Sequence, residues 1–184
     1  MAYQYLLNLA RRFFSNSEIT SLEELTSGNI NRTFLIGITS SVGKTKFILQ
    51  NINNRVFKDP EPIILNMHSV SKHIEKKRII YNTLLSKRRW ETPLIIPTID
   101  TCGLWVKDQG QYWRAITYID HSQNFESISS LKQSNEIGKA LGIFHSLIKD
   151  FSLDNTNSNI KYLHDTSYII KSYDQAWKDF NHKK

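Results

Sequence analysis

The chain has 184 residues, a formal net charge of +7, 40% hydrophobic and 11% aromatic residues, and a single cysteine. That length holds one compact domain or one lobe with part of a second, and the composition excludes a disordered chain. Cys102 alone excludes an intramolecular disulfide framework and a cysteine-based zinc site, and it fits a reducing compartment, so the chain is expected to be cytoplasmic.

Residues Tyr5 to Phe14 place Leu6, Leu9 (or Leu7) and Phe13 at helical spacing and predict a short amphipathic helix docked on the outside of a sheet. The amino terminus has neither a long apolar core nor a small-residue cleavage site, and no stretch approaches the roughly 20 apolar residues of a membrane span. Glu18 to Leu25, with Ile19 and Leu22, reads as a first strand. A polar turn at Gly28 leads into Phe34–Leu35–Ile36. A second turn at Ser40, Ser41 and Gly43 leads into the run from Lys46 to Asn51. Two β-prone runs about a turn read as a hairpin. Gly28 lets backbone N–H groups approach a phosphate, and Asn31 and Thr33 are placed to add side-chain donors; an ordinary hairpin turn is the alternative. The stretch from Gly37 to Thr45 imitates a phosphate-binding G-x-x-x-x-G-K-[ST] loop. Five residues rather than four separate its glycines, and a strand follows, so a surface hairpin turn is expected.

A helix starts next, with Asp59 as N-cap, Pro60 in the first turn and Glu61 behind it. It is expected to run to Leu85 and to lay Ile63, Met67, Val70, Ile74, Tyr81 and Leu84 against the sheet. The opposite face carries Lys72, Lys76, Lys77 and Arg78, followed by Lys87, Arg88 and Arg89. These clusters, with Lys183 and Lys184, lack the interleaved aromatics of RNA readers, so a solvated basic face is preferred to nucleic-acid binding. His68 and His73 are five apart and fall on different helix faces, which argues against a metal site.

Thr92 to Pro97 reads as an extended connector. Strands are expected at Thr98–Thr101, Leu104–Lys107 and Tyr112–Tyr118, with Asp108-Gln-Gly-Gln111 as the hairpin turn between the last two. Ser130-Leu-Lys-Gln133 fits a capping box. Ile137, Leu141, Phe144, Ile148 and Phe151 then follow one helical stripe, with His145 beside it as a core histidine. Asp154 to Asn159 is a polar loop, and a final helix spans Tyr168 to Phe180.

Three stretches bear a family likeness: GNINRTFLI from Gly28, FILQNINNRVFKDPE from Phe47, and YWRAITYID from Tyr112. The chain resembles the aminoglycoside phosphotransferase and choline kinase superfamily, and is most similar to its N-acetylhexosamine 1-kinase branch. His164-Asp165-Thr166 is similar to a segment of the same branch. The resemblance implies an α+β fold: a kinase-like small lobe with an antiparallel sheet of about five strands and a packed helix. Residues 1–117 would form that lobe, and 118–184 a hinge and the first helices of an incomplete helical lobe. It implies ATP and Mg2+ as cofactors and a sugar as substrate. Gly28, Asn29, Asn31, Thr33 and Gln50 would contact the nucleotide, with backbone groups of Thr117, Tyr118 and Ile119 reading the base; an edge strand is the alternative for 117–119.

Gln50 occupies the place of the lysine that most kinase-like folds carry on the third strand. It brings hydrogen bonds but no charge, so charge is sought from Arg55, Lys46 or a metal, and a helix partner from Asn66. A half-exposed strand residue is the bland reading of Gln50. The catalytic H-G-D-x-x-x-x-N loop and the metal-binding I-D-[FWY] segment of the superfamily do not occur before Lys184, so no catalytic or metal residue is assigned. Turnover by this chain alone is not expected. A degenerate remnant, acting as a nucleotide-binding or protein-interaction module, is the competing reading. On either reading the stripe from Ile137 to Phe151 is left without helices to cover it.

Overall fold

The computed structural model describes residues 2–14, 18–26, 28–41, 43–80, 88–123, 125, 127–152, 154 and 165–181. The fold is α+β, with a six-stranded, wholly antiparallel sheet and four helices, against the five or so strands expected. In chain order these are α1 (Ala2–Arg11), β1 (Glu18–Leu25), β2 (Arg32–Ser40), β3 (Gly43–Ile52), α2 (Pro60–Ile80), β4 (Ile95–Ile96), β5 (Val106–Asp108), β6 (Gln111–Thr117), α3 (Leu131–Ile148) and α4 (Thr166–Asn181). The sheet runs β1-β2-β3-β6-β4, and β5 pairs with β6. The far edge of β6 is shared: β4 takes Ala115 and Ile116, while β5 takes Gln111 to Trp113.

Strand alternation divides the sheet into two faces. One face carries Phe34, Ile36 and Ile38 of β2, Phe47 and Leu49 of β3, and Trp113 and Ala115 of β6. Leu6, Leu9, Ala10 and Phe13 of α1 and the following turn complete that core. Both Leu6 and Leu9 are buried, so Leu9 and not Leu7 is the stripe residue. The other face carries Ile52 with Tyr112 and Ile116, covered by Ile64 and Met67 of α2 and by Ile95. The pairs β1–β2, β2–β3 and β5–β6 are consecutive in the chain, while β3–β6 and β4–β6 are long-range pairings. Gln109 and Gly110 both have positive φ (48° and 74°), the geometry of a two-residue hairpin turn whose twist matches its strands. Gly37 lies inside β2, opposite Ser21, where β1 shifts register. The phosphate-loop imitation is thereby a strand interior and a hairpin, as its spacing implied.

Several expectations require correction. Thr98–Thr101 is a turn, not a strand. Thr98 N–H bonds the Gly103 carbonyl (2.8 Å) and Thr98 Oγ1 accepts from Gly103 N–H (3.0 Å), so the segment closes on itself. It is tied to α1 by Ile99 N–H on the Arg12 carbonyl (2.9 Å) and by the Arg12–Asp100 ion pair (2.6 Å). The missing strand is β4, inside the stretch read as a connector between two prolines. On α2 the buried line is Pro60, Ile64, Ser71 and Ile74, with Met67 half-buried. A hydropathy stripe skips a serine and selected Ile63 and Val70 instead. Tyr81 and Leu84 lie outside the described residues, as do Lys87, His164, Lys183, Lys184 and most of the Asp154–Asn159 loop.

Ser130 caps α3, its Oγ accepting from Gln133 N–H (3.2 Å), while Gln133 Oε1 accepts from Ser129 N–H (2.7 Å). The helix docks on α2 by its carboxy-terminal end. Leu147 is fully buried, its carbonyl lies 3.1 Å from His73 Nε2, and Asp150 pairs with His73 and Lys77. His145 is exposed, not a core residue, because it lies off the Leu147 side of the helix. Of the stripe expected to be uncovered, Ile137 and Leu141 are more than half exposed, but Phe144, Ile148 and Phe151, toward the end docked on α2, are half-buried. Asp165 caps α4 through Oδ1 on Tyr168 N–H (3.0 Å), and no residue of α4 is buried.

At the other end of α3, Glu136 pairs with Arg88 and with Lys139. Hydrogen bonds from these two cations hold its carboxyl down to about 2. A depressed carboxylate contributes stability above its ordinary value of 4.5 and loses it as pH falls toward 2. Glu136→Gln is therefore expected to lower the thermal midpoint slightly at pH 7. The difference from wild type should vanish by pH 2, as read by circular dichroism melts across that range.

Candidate functional site: a polar row across three strands

The sequence read as GNINRT and FILQNIN forms one hydrogen-bonded unit. Asn31 Oδ1 accepts from Asn53 N–H (2.9 Å), Asn53 Nδ2 donates to the Ile30 carbonyl (3.1 Å), and Asn53 Oδ1 accepts from Arg55 N–H (3.0 Å). Two asparagines thus fasten the turn before β2 to the chain leaving β3. Gly28 stands at the start of that turn. A Cβ there would meet nothing nearer than the Asn31 carbonyl oxygen at 3.6 Å, so the backbone does not demand glycine; its missing side chain leaves the main chain open to approach. Asn29 lies in the same bend.

Register then aligns three polar residues. Thr33 on β2 is opposite Gln50 on β3, and Gln50 is opposite Arg114 on β6. Directly opposed residues share a face, the one on which α2 packs. Arg114 donates twice to Gln50 Oε1, from Nη2 (2.7 Å) and Nε (3.1 Å). Gln50 Nε2 donates to Thr33 Oγ1 (3.1 Å), and Thr33 Oγ1 donates to the Asn31 carbonyl (3.4 Å). The donors run in one direction, from the interior of β6 to the glycine turn. Gln50 is bonded to Thr33 and Arg114, not to Asn66 of α2.

Arg114 is the least satisfied member. Its Nη1 is buried without a hydrogen-bond partner. The other described buried side-chain atoms in that condition, on Thr39, Trp90, Thr92 and Trp113, are neutral. Burial alone lowers its ionisation to about 10. Among the described residues it makes no ion pair. Glu61, in the first turn of α2, accepts instead from Tyr112 Oη (3.0 Å), two residues before Arg114 on the same face. Removing a cation from water with only a neutral amide as partner costs several kcal/mol.

Beside the polar row lies an apolar one. Leu35, Ile48 and Ile116 are opposed across β2, β3 and β6 and are half-buried on the same face. One step further, Tyr118 follows the last paired residue of β6 and carries the Lys46 ammonium over its ring, 5.6 Å from the centroid. Thr117 is committed: its N–H bonds the Leu94 carbonyl (2.9 Å) and its hydroxyl accepts from Leu94 N–H (2.9 Å). That leaves Tyr118 and Ile119 as the members of the 117–119 set whose amides lie past this clamp. The Ile119 carbonyl accepts from Ser122 Oγ (2.9 Å).

Of the other expected sources of charge, Lys46 stands over Tyr118, and Arg55 lines a pocket of about 330 Å³ on the turn itself, with Ile30, Asn53, Arg32 and Gln111. Among the described residues no cluster of His, Cys, Asp or Glu could hold a metal ion, so no magnesium ligand is assigned. None of the described helices is long and apolar enough to cross a membrane. Sequence reasoning missed Arg114, because 64 residues separate it from Gln50 and only the β3–β6 register joins them. No family model matches the chain.

Proposed function

We propose that this chain is the nucleotide-holding part of an ATP-dependent phosphotransferase of kinase-like fold, acting on a sugar of the N-acetylhexosamine kind. One observation carries the reading. On a single face of the sheet, an apolar row (Leu35, Ile48, Ile116) suited to a purine ring lies beside a polar row (Thr33, Gln50, Arg114) that leads to a glycine turn. A nucleotide has the same two halves: a flat apolar base and a polyanionic tail. The base would lie on the apolar row and meet backbone groups of Tyr118 and Ile119. The phosphates would lie under Gly28 and Asn29, with the Asn31–Asn53 fastening keeping that turn over them.

Phosphoryl transfer needs an aspartate to take the hydroxyl proton and carboxylates or amides to hold magnesium. The chain offers neither in recognisable form, so its proposed role is binding, and turnover is not assigned to these residues. A second reading, a non-catalytic nucleotide-binding or interaction module, draws on α4. Tyr168, Ile169, Ile170, Tyr173, Trp177 and Phe180 are all more than 40% exposed there, and exposed apolar residues grouped on one element are a feature that partners use.

ATP with magnesium should raise the thermal midpoint in a concentration-dependent way, since a ligand of the folded state stabilises by RT ln(1 + [L]/Kd). At a hundredfold excess over Kd the gain is about 2.7 kcal/mol. An unchanged midpoint up to millimolar ATP would defeat the nucleotide reading.

A further inference from the structure

We propose that Arg114 is the cationic phosphate ligand of this site and that Gln50 is its positioning residue. The inference rests on the nucleotide reading and adds to it the residue that supplies charge. Three observations lead there. Arg114 is the one charged side chain among the described residues with a buried, partnerless donor atom, Nη1, on a half-buried side chain. Its two remaining contacts, from Nε and Nη2, converge on a single neutral oxygen, Gln50 Oε1. The only described carboxylate that hydrogen-bonds a residue of β6 on this face, Glu61, is engaged by Tyr112.

A guanidinium presents five donors in a planar fork matched to two oxygens of a phosphate. Here that fork is held against one amide oxygen, which leaves both its charge and part of its donor set uncompensated. An anion arriving at the row would supply what the fold withholds: a negative charge and paired acceptors. Gln50 is placed to keep the fork oriented without neutralising it. A carboxylate at position 50 would neutralise it, and a lysine would repel it. The acceptor at the other end, the Asn31 carbonyl, ties the same row to the glycine turn, so a phosphate there meets the guanidinium and the turn together.

The test compares ATP with adenosine, each titrated into the full chain by calorimetry, for wild type, Arg114→Met and Arg114→Lys. Wild type is expected to prefer ATP to adenosine by at least about tenfold, the scale of one charge-assisted contact. Arg114→Met should lose that preference, keep its adenosine affinity, and melt no lower than wild type without nucleotide. Arg114→Lys should retain part of the preference. An ATP-to-adenosine ratio unchanged in Arg114→Met would overturn the inference. So would a wild type that binds both ligands equally, though the nucleotide reading would survive that result. Wild type binding neither ligand would end both. Loss of the fold in Arg114→Met but not in Arg114→Lys would mark the guanidinium as a structural group and overturn the assignment.

Discussion

Leu49→Ala is expected to destabilise the fold by about 2–5 kcal/mol. Leu49 is fully buried at the centre of the sheet, between Phe34 on β2 and Ala115 on β6, under the α1 helix. Shortening it removes three carbons, a methine and two methyls, from water-free surroundings and leaves a cavity bounded by strands that cannot close around it. Small neighbours are already in use at Ala115 and Ala10, both fully buried, so no adjacent side chain is free to swing in. The control is Leu131→Ala at the start of α3, where the side chain is 90% exposed and the change should stay within about 0.5 kcal/mol. Urea unfolding followed by circular dichroism gives both values. Equal costs at the two positions would mean that the sheet core is not where the structure places it.

Gly37→Ala is expected to cost about 1–3 kcal/mol, from overpacking rather than from backbone strain. Gly37 is a buried strand residue without a positive φ, so alanine is conformationally permitted there. A methyl group, however, would overlap Ser21 Oγ and lie 3.2 Å from Thr20 Oγ1 on the neighbouring β1 strand. Relief by a compensating cut separates this cause from others: Ser21→Ala combined with Gly37→Ala should recover most of the loss. Failure of the double variant to recover stability would show that the glycine acts through the backbone instead.

Much of the fold was legible because local chemistry and periodicity agreed. The three leading strands, the Gln109–Gly110 turn, the start of α2 at Pro60 and the Ser130 cap each stand where a turn, proline or cap residue was expected. Legibility failed where tertiary contacts decided the outcome. β4 is two residues long, and only its pairing with Ile116 and Ala115 makes it a strand. Thr98–Thr101 has strand-like composition but closes through its own hydroxyls. Ser71 belongs to the buried face of α2 although its hydropathy excludes it, and His145 turns outward although it neighbours an apolar stripe.

The candidate site divides in the same way. Gly28, Asn31, Thr33 and Gln50 were singled out from residue types and from likeness to a kinase family. The structure brings the last three into one hydrogen-bonded row, but it engages the asparagine and the threonine with other protein groups. Arg114 lies inside the stretch expected as a strand, Tyr112–Tyr118, and has no role in the sequence reading. In a strand of mixed pattern, one arginine carries no sign that its neighbour across the ladder will be a glutamine and not a glutamate. Charge at this site is a property of register, and register is not written in any local stretch.

The proposed nucleotide site is one sheet face, between the glycine turn and the end of β6. Backbone amide shifts of the labelled chain, followed by NMR during addition of ATP and magnesium, would locate bound nucleotide there or elsewhere. Saturable changes concentrated at Gly28, Leu35, Ile48, Gln50, Arg114, Ile116 and Tyr118 are the predicted result, with little change at Phe34, Leu49 and Ala115 on the opposite face. Changes confined to the basic side of α2 around Lys72 and Lys76, or none in a folded chain, would contradict it.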